Sequence, residues 1–280
     1  MYIGNQKYYS ASTCVYGISY DGGSYSYGFF GKEKLSFTTT NEFNNFFFGC
    51  GQNSTGIFGE ADGLLGLGRD KLSLVEQTAA KYGKYFSYCL PSTSSSIGYL
   101  AFGRGDGVSS SVAFTPLVTI PRGPTFYGIN IKGITVAGRT LSIPESIFSN
   151  APGFIDSGTV ITRLPPTAYS ALSSAFQQEM TQYPKAPALQ LLDTCYDLSA
   201  YSSASVVIPK VSFLFSGGVS VDLDQSGTLY LASESQVCLA FAANKRDNDS
   251  LIYGNVQQKG IPVVYDVAGG KLGFGPHGCA

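Results

Sequence analysis

Asp156-Ser157-Gly158-Thr159 is the stretch of this chain whose residue types and spacing could do chemistry. Apolar Phe154-Ile155 leads in and Val160-Ile161 follows, so the motif predicts a carboxylate on a tight turn between two buried strands. Glycine lets the backbone approach closely. The small hydroxyl residues Ser157 and Thr159 can donate hydrogen bonds that fix the carboxylate without enlarging the turn. One carboxylate cannot serve at once as base toward water and acid toward a scissile amide. Two facing carboxylates sharing a proton can, because like charges held close together cannot both ionise. No second Asp-(Ser/Thr)-Gly-(Ser/Thr) occurs in the 280 residues.

The elements that must position such a turn read as strands. Apolar and aromatic runs span 25–37, 43–48, 99–102, 127–136, 206–215 and 236–241, separated by turn signals. Charged residues make up 13% of the chain against a usual value of about 25%, and there are 34 glycines, a composition that suits many short strands joined by tight turns. The expected class is all-β with a few short helices. Ser73-Leu74-Val75-Glu76 is a capping box that opens a short helix toward Tyr82. Pro165-Pro166 precedes Ala168, Leu172, Ala175, Phe176 and Met180, an apolar stripe at helical spacing that belongs to a core. Two apolar-Gly segments, 62–68 and 251–255, suggest one device used twice in a twofold internal repeat.

Composition also excludes. A net charge of −1 with scattered Lys and Arg gives no footprint for a phosphate backbone, so nucleic acid is not an expected partner. No apolar run reaches the length of about 20 residues that crosses a bilayer, so no membrane partner is expected, and the first residues carry no signal-peptide pattern. Six widely spaced cysteines with one histidine argue against zinc, and no cofactor is expected. An even cysteine count, with the acceptor sequons Asn53-Ser54-Thr55 and Asn248-Asp249-Ser250, suits an oxidising compartment. His277 sits in a terminal Gly-Pro-His-Gly turn with no nucleophile elbow elsewhere, so a Ser-His-Asp reading is rejected. Gly273 to Gly278 spells G-x-G-x-x-G, but Pro276 and the chain end leave no helix to receive a phosphate. Arg104-Gly105-Asp106 reads as a Gly-rich turn.

Taken together, Tyr20 to Gly28, Phe48 to Gly51, Ala61 to Arg69, Phe86 to Leu90, Ile155 to Pro165, and Gly254 to Gln258 through Val264-Tyr265-Asp266 to Phe274 resemble the pepsin-like aspartic proteases. The resemblance is to the plant group of nepenthesins and the chloroplast nucleoid protease. It implies a bilobal fold with an incomplete first lobe at 1–115, carrying the flap, and a second lobe at 125–280, carrying the Asp motif. By the same resemblance Asp156 is the second-lobe catalytic aspartate and Ile252-Tyr253-Gly254 its crossing strand. Ser157 joins a backbone grip between lobes, Thr159 bonds the carboxylate, and Tyr20 is the substrate-closing flap tyrosine. The implied disulfides are Cys195 with Cys238 and Cys89 with Cys279. Cys14 and Cys50 are left without family partners, and pairing between them stays open.

Two departures qualify this, the smaller being that the flap turn Tyr20-Asp21-Gly22-Gly23-Ser24 lacks the Gly that the family usually has before Asp. The family's first Asp-Thr-Gly-Ser lies upstream of the flap, whereas this sequence begins at Met1, shortly before Tyr20, without it. Leu64-Leu65-Gly66 then lacks the strand it should cross, which makes the first lobe the weaker half. The implied activity is peptide-bond hydrolysis on a peptide or protein substrate by a monomer, in a secretory (extracellular or vacuolar) or plastid compartment, with the chain inactive alone. The alternatives are a non-catalytic binding protein similar to xylanase inhibitors, a dimer in which each copy supplies one aspartate, and a truncated gene model.

Overall fold

A computed structural model describes residues 9–10, 13–20, 22–56, 58–59, 61–93, 95–105, 111–121, 123–150, 152–276 and 278–279. The fold is mostly β with five short α-helices among the described residues. Chain contacts divide it into two compact units, Met1–Ala80 and Lys81–Ala280.

The first unit is one antiparallel sheet in the order Tyr9–Ser10, Thr13–Ser19, Tyr25–Thr38, Asn41–Thr55. The expected 43–48 strand is thus part of the first half of a much longer one. At its flank the Gln77 side chain imitates a neighbouring strand, since Oε1 accepts from the Phe47 N–H at 2.8 Å and Nε2 donates to the Phe47 carbonyl at 2.9 Å. The core of this unit is thin. Phe29, Phe47 and Phe48 are exposed, and Leu64 and Leu65 are 60% and 52% accessible. Residues 62–68 form no strand. The expected helix from Ser73 is two pieces, Leu74–Gln77 and Ala79–Tyr82. Ser73 Oγ accepts from the Glu76 N–H at 3.2 Å as a cap should, but the Thr78 hydroxyl donates back to the Leu74 carbonyl at 2.7 Å, and the helix breaks there.

Among the described residues the second unit holds four sheets. One joins Tyr99–Phe102, Tyr85–Cys89, Pro262–Asp266, Lys271–Phe274 and Ala113–Pro116 in that order. Strands Tyr85–Cys89, Tyr99–Phe102 and Ala113–Pro116 therefore share a sheet with the C-terminal strands, which is why the division between units falls near residue 80. A second sheet, Phe241–Ala243, Thr162–Leu164, Ile252–Tyr253, Gly153–Ile155, Tyr127–Ile129, carries the Asp156 turn. Its core is aromatic: Phe213 stacks on Phe241 at 5.8 Å, and Tyr253 lies edge-on to Phe213 and Phe215 at 5.3 and 5.8 Å. Three expected strands are interrupted. The 206–215 run becomes a strand only at Val211, past Pro209, which has no N–H to give a ladder. The 127–136 run breaks at Asn130, whose carbonyl accepts from Ser216 at 3.0 Å, and the 236–241 run breaks at Ala240, whose N–H goes to Thr228 at 2.9 Å.

Helix Pro166–Glu179 buries Ala168, Tyr169, Leu172 and Phe176, with Met180 buried at its C-cap. Its N-cap residue is Pro165, which supplies no side-chain cap. Asp247 caps it from elsewhere in the chain, Oδ1 accepting from the Thr167 N–H at 2.8 Å and Oδ2 from the Thr167 hydroxyl at 2.6 Å. These two bonds, the hydroxyl first, hold the Asp247 carboxyl below its ordinary range. A carboxylate with a depressed folded pKa stabilises the fold fully above its unfolded value of about 3.9 and loses that contribution as pH falls through the folded value. Asp247→Ala is expected to cost about 1 kcal/mol at neutral pH and to flatten the acid limb of a stability profile below about pH 4, measured by urea unfolding at several pH values.

Candidate active site

Asp156 is held by the two legs of its own turn and the strand between them. Phe154 and Ile155 pair in parallel with Ile252 and Tyr253, while Arg163 on the returning leg pairs antiparallel with Ile252. The crossing strand therefore lies between the legs. The Asp156 N–H donates to the Tyr253 carbonyl at 3.0 Å, and the Asn255 N–H to the Thr159 carbonyl at 2.7 Å. Gly254 is where the backbones meet: a β-carbon there would stand 2.8 Å from the Val160 carbonyl oxygen and 2.9 Å from Thr159 O and Ile161 C.

Within the turn, the Gly158 N–H donates to Asp156 Oδ1 at 2.9 Å and the Thr159 hydroxyl to Oδ2 at 2.8 Å. Each carboxylate oxygen thus has one donor, which fixes the plane of the group. Asp156 is half-buried, and Ser157 and Gly158 are exposed, so the carboxylate is reachable from solvent. The Ser157 carbonyl accepts from Asn255 Nδ2 at 3.0 Å. A fixed, accessible carboxylate of this kind can accept a proton from water or share one with a second acid.

Beneath the turn lies a buried polar support that the motif does not announce. Gln258 Nε2 donates to the Tyr253 and Gly254 carbonyls at 2.9 and 3.0 Å, so the carbonyl that receives the Asp156 N–H is gripped from below. Gln258 Oε1 can only accept, and it accepts from the Tyr88 hydroxyl; Tyr265, 3.0 Å from Tyr88 Oη, then donates to Tyr88. Burial drives both hydroxyls up from their ordinary values, with the Asp156 charge adding to the rise, so they remain protonated donors. Gln257 works in parallel. Its Nε2 donates to the Gly227 and Ala240 carbonyls at 2.8 and 3.0 Å, and its Oε1 accepts from Thr162, whose oxygen accepts from the Gly254 N–H at 2.9 Å. A Gln-Gln pair directly after the crossing strand was the available signal, since two adjacent fully buried amides must both find partners. Tyr88→Phe leaves Gln258 Oε1 buried without a donor, and a loss of about 1–3 kcal/mol is expected in urea unfolding. Tyr265→Phe, which removes only the terminal donor, should cost less.

With this geometry in place, the chain can be set beside known proteins. The Xylanase inhibitor C-terminal family matches residues 126–276 and the Xylanase inhibitor N-terminal family residues 4–104. An aspartyl protease family protein of Arabidopsis thaliana is 53% identical over 277 residues, covering 99% of this chain and 58% of that protein. Aspartic proteinase nepenthesin-2 of Nepenthes gracilis is 35% identical over 275 residues, covering 95% of this chain and 61% of that protein. The chain belongs to the pepsin-like aspartic protease family. It spans a little over half the length of these relatives. Among solved structures, conglutin gamma from lupine seeds aligns with a TM-score of 0.74 at 18% identity, covering 94% of this chain and 72% of that one. Basic 7S globulin from soybean aligns with a TM-score of 0.72 at 21% identity, covering 90% and 68%. These two likenesses speak for the fold.

Other residues singled out in this pepsin-like chain belong to other elements. Tyr20 is in the first unit, half-buried, with its N–H on the Ser24 carbonyl at 2.8 Å and its ring edge-on to Phe58 at 5.8 Å. Burial raises its hydroxyl pKa. Gly22 and Gly23 carry positive φ in that turn, while Asp21 lies outside the described residues. Cys89 is bonded to Cys279 and Cys195 to Cys238. Cys14 and Cys50 are free and exposed. Val15, Phe29 and Cys50 form one row across the first sheet, so Cys14, next to Val15, projects from the opposite face. The two strands that carry them are also separated by a third, roughly 10 Å in all, beyond the reach of a disulfide. Arg104 is committed to Asp266 at 2.7 Å and lies over the Tyr85 ring, a structural ion pair. Asp106 and His277 lie outside the described residues.

Proposed function

We propose that this chain derives from an aspartic endopeptidase that cleaves peptide bonds through water activated by paired aspartates, without metal or cofactor, and that it carries one half of that pair. The supporting observation is the Asp156 carboxylate, with one donor on each oxygen and solvent access, on a turn crossed by an apolar-Gly strand. In this reading 1–115 and 125–280 are the two ancestral lobes, Asp156 is the second catalytic aspartate, Gly158 and Thr159 orient it, Ser157 flanks it and Tyr20 belongs to the flap. The substrate is a flexible or unfolded polypeptide. A lone carboxylate cannot divide the proton between attack and departure.

The 280-residue protein is therefore expected to leave denatured protein intact at acid pH, assayed by release of fluorescent peptide. A rate linear in enzyme concentration and abolished by Asp156→Asn would refute the half-site reading. A rate rising with the square of concentration would instead mean two chains each supplying a carboxylate.

A second reading is a non-catalytic binding protein on the same scaffold. It is favoured by the two matching families, which are named for xylanase inhibitors. The intact Asp-Ser-Gly-Thr turn argues against it, and capture of a glycosidase by the immobilised chain would support it.

A further inference from the structure

Between strand Phe241–Ala243 and the crossing strand Ile252–Tyr253 the chain makes a polar turn, Asn244 to Ser250. Four of its side chains, those of Asn244, Arg246, Asp247 and Asp249, are engaged, and Lys245 is exposed. The Asp247 carboxylate is taken by Thr167. The Asp249 carboxylate accepts from the Arg246 N–H at 3.0 Å and from the Arg246 guanidinium at 3.2 and 3.0 Å. Asn244 Nδ2 donates to the Asp249 and Ser250 carbonyls at 3.4 and 3.0 Å, and the Asp249 N–H returns to the Arg246 carbonyl at 3.1 Å. Asn248 is exposed at the tip. Neither its side-chain amide nor the Ser250 hydroxyl has a hydrogen-bond partner among the described residues. These two groups are the ones an Asn-x-Ser acceptor sequon must present.

We propose that Asn248 is an N-glycosylation site that the folded protein presents ready for transfer. Asn248 Nδ2 forms a bond to the anomeric carbon of a lipid-diphosphate-linked oligosaccharide. The anomeric C–O bond breaks, the lipid diphosphate leaves with the electron pair, and the amide gives up one proton; nothing is oxidised or reduced. Asp249, the middle residue, does not interfere, because its charge is turned onto Arg246. The two disulfides fit the oxidising compartment in which such transfer takes place. The other sequon is presented differently. Asn53 and its hydroxyl residue Thr55 both lie within strand Asn41–Thr55, in ladder register with Tyr27 and Tyr25, and the middle residue Ser54 is tied to Ser26 at 2.9 Å, so that acceptor would have to be peeled from its sheet before it could bend into a transferase.

The test is to incubate the purified, disulfide-intact chain with a single-subunit oligosaccharyltransferase and a lipid-linked oligosaccharide, and to read occupancy by mass spectrometry of the tryptic peptides. One glycan is expected, on the peptide containing Asn248, with Asp at that position after enzymatic release. Asn248→Gln and Ser250→Ala should each abolish it, the second while keeping the acceptor amide, and Asn53→Gln should leave it unchanged. No transfer to Asn248 in the folded chain, or transfer to Asn53 in its place, overturns the proposal.

Discussion

Gly254→Ala is expected to be strongly damaging to the second unit, with a loss of roughly 4 kcal/mol or more in urea unfolding and collapse of near-UV dichroism. The added carbon would meet three backbone atoms at 2.8–2.9 Å, and backbone cannot step aside as a side-chain tip can. Relief would require moving the crossing strand away from the returning leg, which breaks the Gly254 to Thr162 bond and strips Gln257 of its donor. Gly158→Ala is the control. Its β-carbon would touch only Asp156 Oδ1, at 3.1 Å, so a cost of about 1 kcal/mol is expected, with the fold kept. Equal losses at the two positions would show that the crossing strand does not carry the turn.

The second large effect is expected on reduction. Cys195–Cys238 closes 43 residues and Cys89–Cys279 closes 190, for which the chain-entropy relation gives contributions of up to about 4 and 5 kcal/mol. The longer closure ties strand Tyr85–Cys89 to the C-terminus, and the shorter one joins directly opposed residues on adjacent strands. Either Cys→Ala pair should lower the urea midpoint substantially, the Cys89/Cys279 pair more than the Cys195/Cys238 pair. Dithiothreitol should lower the midpoint of either pair variant further, because the other disulfide remains, and should have no further effect once all four cysteines are replaced, beyond keeping Cys14 and Cys50 reduced.

The Asp156 turn was legible in the sequence because its chemistry is local: carboxylate, N–H donor and hydroxyl lie within four consecutive residues. Helix Pro166–Glu179 was legible for the same reason, since one apolar stripe specifies which face is buried. What could not be read are supports that arrive from far along the chain. The hydroxyls of Tyr88 and Tyr265 that steady Gln258, and the carboxylate of Asp247 that caps the helix, are fixed only once the sheets have assembled. The suggested repeat shows the limit of pattern. Leu251-Ile252-Tyr253 and Leu64-Leu65 are alike in composition, yet only the former has a leg on each side to bond, and backbone without such neighbours among the described residues does not become a strand.

Phe46-Phe47-Phe48 stands on the outermost strand of the first sheet, uncharged and free of proline, and one glutamine side chain screens a single rung of it. Such a segment is a template for unwanted cross-β stacking, so at high concentration precipitation of this polypeptide would start there and not around its acidic turn.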